Sequence, residues 1–589
     1  MSRNNNTPSR LLVTTGLETT WGSSQDIIFV GEWCKSYDKY SDLNNRTHHT
    51  IPFHWSDRNK VAKDYEYIKT LNERVLVALV KKLNKFHNLN KSERYWRIII
   101  GPWLFFFVPI LWDRWENIRI AIEDYSIDET NVFKHNKWEN IPDDYDDLTY
   151  LSNDHYWNHS IFSYILKNFY KNKIKIIKIP SSNQADVYNR KKRTKTPFKS
   201  KLLLFLDFSV SIFHKKQIIA FIDSYFSLKN LLKMQISLKQ FPRLNSIFKK
   251  KVIYTRKFSK VRDEKFHINA TNEFEFFLEE FLFTMIPLAH LEGYNLLKNE
   301  IESSRQNAQI IFTAISHYNN EFFKVWASEQ VEKNSKLFII EHGEGLSYRM
   351  SLMEGHEVKI ADKKIVWNKE YSLKDIQLSP TKLISLNIKR QSYNNILLVG
   401  YESPIYSYFI QSGALSSSVL DVFDFTTIFI NNLSSLAFND LKIRSAPNQG
   451  WNTRLRYRDL YGSDRIDQHK TLIKSFGNAK LIICTYPSTT FSEAMNSNIP
   501  TVMIYCKEFW ELRPEYDDLL LDLKKNNIVF YDPFLAAKHI NTISSAPHLW
   551  WNSSEVIKAR KSFAETCSSV SKDWLKEWKN FFYSEIKTN

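Results

Sequence analysis

CTYPSTTFSEAMNSNIPTVMIY, residues Cys484–Tyr505, is the clearest supersecondary signature in this chain. The apolar run Leu481–Thr485 enters it as a strand, a Pro-Ser-Thr-Thr turn follows, a helix begins at about Phe491, and TVMIY (Thr501–Tyr505) returns as a second strand. Strand, tight turn, helix and strand make a βαβ unit with parallel strands. The hydroxyls of Ser488, Thr489 and Thr490 and the backbone N–H groups of the first helical turn converge where the helix dipole is positive, a place for a phosphate. Thr490-x-x-Glu493 is also a capping box, which would engage Thr490 and Glu493 in local hydrogen bonds. Both readings hold if Thr490 caps while Ser488 and Thr489 face a ligand.

Outward from this unit the same grammar repeats. A series opens at Asn395 with ILLVG and continues through TTIFIN and LKIR to LIICT. After LKIR comes Arg444-Ser-Ala-Pro447-Asn-Gln-Gly-Trp451, at the carboxyl edge of the sheet, where ligands of open α/β sheets bind. Arg444 there is either a bidentate clamp on a phosphate or carboxylate, or a salt-bridged surface residue. An earlier series reads strand (Gln309–Thr313), helix (Asn319–Glu332), strand (Lys336–Ile340) and loop (Glu341–Ser347). That loop carries Glu341-His342-Gly343-Glu344-Gly345, a carboxylate and an imidazole whose flanking glycines let a substrate approach closely; acid/base work and a satisfied structural histidine are the two readings.

Two series joined near residues 370–394 predict an α/β fold of two facing Rossmann-like domains, 1–385 and 386–589, with a basic insertion in the first. Nearer the N-terminus, Leu11–Thr15 and Asp26–Gly31 look like short stretches of an α/β domain and Lys60–His87 is helical. Glu555–Phe582, with Trp574, Trp578 and Phe581 at helical spacing, predicts an amphipathic helix packed on a core. Glu18, Asp57 and Glu292 are weaker acidic candidates, more often caps or solvated charges, and Trp21, Trp33 and Trp451 sit beside glycines where they would stack on sugar rings.

The composition narrows the function classes. With 589 residues, 43% hydrophobic, 15% aromatic, 13 Gly and 17 Pro, the chain is a folded protein rather than a disordered or collagenous one. The start, MSRNNNTPSR, lacks the apolar run of a secretory signal, so a cytoplasmic location is expected. Ile98–Trp112, broken by Gly101, Pro102 and Pro109, falls short of the roughly 20 residues of a membrane span and reads as buried core. Cys34, Cys484, Cys506 and Cys567 lie far apart with no metal spacing, and no DxD-like element reads as a metal site; Asp143–Asp147 reads as a solvated acidic loop. The net charge of +17 gathers in Lys167–Arg262, with Arg190–Arg193 and Lys249–Lys251, and suits an anionic membrane surface as well as nucleic acid. No nucleic-acid module accompanies it, so nucleic acid is not an expected partner.

Taken in order, TTGLETTWG, FVGEWC, YWRIIIGPWL, EHGEG, the Gly-Trp element, YPSTTFSEAMNSNIPTV and SKDWLKEWKNFF resemble a family of transferases encoded in bacterial O-antigen and other surface-polysaccharide gene clusters, from about Leu11 to Phe582. The resemblance implies a GT-B-like glycosyltransferase with the nucleotide on the C-terminal domain. It departs from the family's Gln-His-Gly-Gly loop at Glu341-His342-Gly343-Glu344, and from a His- or Tyr-Pro pair at Ala446-Pro447. Transferases of CMP-activated sugars similarly pair His-Pro with a Ser/Thr cluster, which extends the resemblance to a CMP-activated ulosonic acid such as Kdo. The expectation is therefore a donor held by Ser488, Thr489, Thr490, Glu493, Arg444 and Pro447, with His342 or Glu341 acting on the acceptor across the cleft. The nucleotide sugar is a co-substrate, no cofactor or metal is called for, and the acceptor is a lipid-linked or oligosaccharide chain at the inner membrane. A non-catalytic scaffold of polysaccharide assembly is the reading from another class.

Overall fold

In a computed structural model of the chain the described residues are 9–22, 26–38, 46–134, 140–180, 216–249, 252–304, 306–343, 345–391 and 394–587. Arg190–Arg193, Lys250, Lys251 and Glu344 lie outside them. Strands form where apolar runs are bounded by turns, and their pairings are parallel throughout the three five-stranded sheets. The first sheet contains β1 (Arg10–Val13), β2 (Asp26–Phe29), β3 (Thr47–Thr50), β4 (Glu129–Phe133) and β5 (Lys175–Ile179), in the order β3-β2-β1-β4-β5. The second contains β6 (Lys216–Ile222), β7 (Asn307–Thr313), β8 (Lys336–Ile340), β9 (Lys363–Val366) and β10 (Asp375–Gln377), in sequential order. The third contains β11 (Asn395–Val399), β12 (Leu441–Arg444), β13 (Ala479–Cys484), β14 (Thr501–Ile504) and β15 (Val529–Phe530), in the order β12-β11-β13-β14-β15.

The α/β class with parallel sheets is thus as expected, and the second and third sheets are the two series read in the sequence. The first sheet is an additional layer. Its strands gave only fragments of a pattern, because β3 is the polar THHT with exposed side chains. Thr426–Asn431 (TTIFIN), grouped above with the strands, is instead the end of the helix Ser418–Asn431. Its β-branched residues favour strands locally, but Val419, Val422, Phe423, Thr426, Phe429 and Ile430 recur at helical spacing and are buried together.

The apolar run Ile98–Trp112 lies within the helix Glu93–Asp124, buried almost throughout against the helices Arg58–His87, His155–Phe169, Glu321–Val331 and Leu352–Ile360, with both prolines inside it. It packs so closely on the helix Leu352–Ile360 that a Cβ at Gly101 would meet the His356 ring at 2.6 Å. The C-terminal run is two helices, Ser554–Cys567 and Trp574–Lys587, rather than one; the serines at 568–571, which compete for backbone hydrogen bonds, separate them. The last helix crosses to the second sheet. Trp578 packs edge-on against Phe312 and Phe582 against Phe221, each with ring centroids 5.5 Å apart, and the Trp578 indole N–H donates to Ser379 O at 2.9 Å.

Trp21, Trp33 and Trp451 are core residues, which corrects the stacking role expected for them: burial leaves no face for a sugar ring. Asp57 caps the helix Arg58–His87, and Glu292 accepts from the Arg262 guanidinium at 2.6 Å, so both take the structural roles.

Candidate functional site

The third sheet reverses its strand order between β11 and β13, and in open parallel sheets the crevice outside the carboxyl ends at such a point is where ligands sit. Gly400–Pro404 follows β11 and Thr485–Ser488 follows β13. Between them opens a cavity of about 300 Å³, walled by Tyr401, Glu402, Tyr486, Ser488 and Trp510. The helix Thr489–Asn496 begins at this rim, two residues earlier than expected, with Ser488 as its N-cap. The capping box does not form: Ser488 holds the cap position and makes no side-chain cap bond, while Thr490 Oγ1 meets the Tyr486 hydroxyl at 3.1 Å. Glu493 is buried and ion-paired with Lys382 at 2.9 Å. Ser488 therefore keeps its hydroxyl at the cavity wall, at the positive end of the helix.

The Glu341–Gly345 loop leaves β8 at the carboxyl edge of the second sheet and meets the same helix. A Cβ built on Gly343 would collide with Thr489 Oγ1. At Gly345, φ is +79°, a left-handed conformation that glycine adopts freely, and the space beyond it is filled by Ser492 and Cys567 O. The Tyr348 hydroxyl then donates to Pro487 O at 3.2 Å, tying the loop to the Pro-Ser-Thr-Thr turn. Two motifs far apart in sequence are thereby brought into contact at facing sheet edges.

Within the loop, Glu341 accepts from the Trp367 N–H at 2.8 Å and has Lys364 Nζ at 3.7 Å. Burial pushes its carboxyl up to about 7, against the pull of Lys364, so it can take or give a proton near neutrality. Lys364 is 2% exposed and also meets Glu354 (3.1 Å) and Glu357 (3.6 Å). Burial opposes its charge, but the carboxylates outweigh it and keep the ammonium protonated. His342 is exposed at its edge of the loop, and partial desolvation by the neighbouring chain, aided by Lys382, lowers its pKa and favours neutral imidazole. Its Nδ1 is hydrogen-bonded to the Tyr225 hydroxyl.

Arg444 pairs in register with Val399, which pairs with Cys484, so it stands level with the turn but two strands away, about 10 Å across the sheet. Its Nη1 is held by Asp467 (2.7 Å), His469 O (2.9 Å) and Ser475 (3.0 Å). Pro447 is exposed on the following loop and is not a wall of the 300 Å³ cavity. Sequence reasoning missed Glu402, whose carboxylate accepts from the N–H groups of Gln449 (2.7 Å) and Trp451 (3.2 Å) and so shapes the loop after β12. Its place directly after the strand ILLVG was the available signal.

Residues 10–582 match the model of the LIC12162 family of transferases. The chain belongs to that family. The match covers the span over which the motifs resembled a transferase family. No protein of curated function matches the chain in sequence. Among solved structures, the wall teichoic acid polymerase TagF is similar to 48% of this chain and 74% of its own, at 11% identity and a TM-score of 0.29. TarM is similar over 49% of this chain and 57% of its own, at 14% identity and a TM-score of 0.32. MnaA of S. aureus, in a structure with UDP, is similar over 51% and 81%, at 12% identity and a TM-score of 0.31. LIC12162 family membership gives the reaction class, a transferase, and these slight likenesses add no argument to it.

Proposed function

We propose that this LIC12162 family member is a glycosyltransferase that moves a sugar from a nucleotide-activated donor to a growing surface polysaccharide. One observation carries the reading: Ser488 stands on a cavity at the strand-order reversal of the third sheet, and the helix behind it is packed against the loop bearing Glu341 and His342. A phosphate-holding helix end and a proton-handling loop are thus in contact, through Gly343 and Thr489. In transfer, the acceptor oxygen bonds to the anomeric carbon as the carbon–oxygen bond to the donor phosphate breaks. The phosphate keeps the electron pair, and the acceptor proton passes to Glu341 or His342. The helix terminus stabilises the charge on the leaving phosphate, so turnover is expected to persist in EDTA.

The surface-polysaccharide setting and a CMP-linked ulosonic acid donor rest on the motif resemblance alone. A thermal-shift panel of CMP, UDP, GDP and their sugars, CMP-Kdo among them, tests the reading and identifies the donor. Ser488→Ala with Thr489→Ala should weaken the nucleotide that shifts the wild type by about tenfold or more. A panel in which no nucleotide shifts the protein, or a folded double variant with unchanged affinity, would overturn it.

A further inference from the structure

The cavity at Ser488 continues into a larger one. It shares Pro404, Tyr408 and Gln449 with a space of about 580 Å³, whose far wall is Thr149, Tyr150, Asn153 and Asp154, at the end of the helix Tyr145–Leu151 and the start of His155–Phe169. The groove thus runs from the third sheet to helices of the first, on a scale that suits an organic ligand.

Its wall is chemically distinctive. In a chain of net charge +17, no Lys, Arg or His lines either cavity. The charged wall residues are Asp154 and Glu402, and Glu402 is engaged by backbone N–H groups. In the larger space, away from the positive helix end at Ser488, a phosphorylated or carboxylated polymer would meet Asp154 and no counter-charge. What the wall offers instead is aromatic faces and neutral amides. Tyr150 is 52% exposed, and among the described residues no hydrogen bond is made by its hydroxyl or by the side-chain amides of Gln449 and Gln411.

Gln449 is also held in place. Its N–H donates to Glu402 at 2.7 Å, and its carbonyl accepts from Asn153 Nδ2 at 2.8 Å and from the Ile405 N–H at 3.1 Å. A fixed backbone presenting an unengaged amide is preorganised to meet hydroxyl groups, and tyrosine faces suit the C–H face of a sugar ring.

We propose that this groove is the acceptor site and that it takes a neutral, hydroxyl-rich oligosaccharide, with the growing end toward Ser488. The acceptor role rests on the glycosyl-transfer reading; the neutral-glycan chemistry rests on the wall itself. The test is an array of neutral (hexose, N-acetylhexosamine and deoxyhexose) and anionic (sialylated, sulfated and phosphorylated) oligosaccharides, read with the full chain at low and high salt. Retention on neutral glycans that survives high salt is expected. Tyr150→Ala, at a residue that lines only the larger cavity, should lower it at least tenfold while leaving the nucleotide thermal shift unchanged. Retention on anionic glycans alone, retention on none, or equal binding by the variant overturns the proposal. A wild-type chain that no nucleotide shifts would instead sink the transfer reading, and the array would still decide the groove.

Discussion

Replacing Gly343 by alanine puts a methyl group where the Thr489 side chain already is. The added Cβ would lie 2.8 Å from Thr489 Cγ2 and 3.0 Å from its Cβ, with Oγ1 closer still. Rotating the threonine moves Oγ1 and Cγ2 but leaves its Cβ, so the loop and the helix Thr489–Asn496 must separate by a few tenths of an ångström. Gly343 is not a positive-φ residue, so the cost is steric rather than a backbone strain. Overpacking of this kind costs about 1–3 kcal/mol, and at roughly 1 °C per kcal/mol for a chain of 589 residues the melting temperature should fall by about 1–3 °C. Turnover should fall as well, by less than the roughly 10²-fold that a 1 Å displacement between Glu341 or His342 and a donor at Ser488 can cost, because the separation is a few tenths of an ångström. Thr489→Ala removes Oγ1 and Cγ2, so adding it to Gly343→Ala should recover much of the lost stability, a coupling of about 0.5–3 kcal/mol in a double-mutant cycle. Thermal unfolding of the four proteins reads that coupling. A Gly343→Ala protein as stable as the wild type, or strictly additive variants, would refute the contact between the two sheet edges.

Glu341 titrates at about 7 when folded, above its ordinary 4.5, so its contribution to stability is full below about pH 4.5 and is lost as pH rises through 7. Glu341→Gln should therefore gain about 1–3 kcal/mol on the wild type above pH 7 and lose that advantage near pH 4, as denaturation at the two pH values would show. Its turnover should fall about 10²–10⁴-fold if Glu341 handles the proton, and His342→Ala should do the same, without loss of donor affinity, if the imidazole does. Arg444→Ala takes the cation from the buried Asp467 and should cost about 1–3 kcal/mol in denaturant unfolding. Weaker nucleotide binding at unchanged stability would make Arg444 a donor clamp instead. Trp578→Ala should cost about 3–5 kcal/mol and expose residues 568–573 to proteolysis, since that indole anchors the last helix on the second sheet.

The sequence by itself determined the parallel α/β class. Strands buried on both faces are continuous apolar runs, and β7, β8, β11, β13 and β14 each show one, followed by a turn at the expected end. It also located the Pro-Ser-Thr-Thr turn and the Glu-His-Gly loop, because a strand end, a hydroxyl cluster and a glycine are local facts. Strand order is not local. That β11 lies between β12 and β13, and so opens a crevice at Ser488, follows from pairings between distant segments. The first sheet was read only in part, since strands of four or five residues with a polar edge carry too short a period. Thr426–Asn431 went to a helix because tertiary burial of one face outweighed the strand preference of its residues. The partners of Arg444, the burial of Trp21, Trp33 and Trp451, and the collision that keeps position 343 a glycine all depend on what the folded chain brings alongside them. Local chemistry named the candidate residues, and only long-range packing, which brings the loop after β8 against the start of the helix Thr489–Asn496, decided which of them lie together.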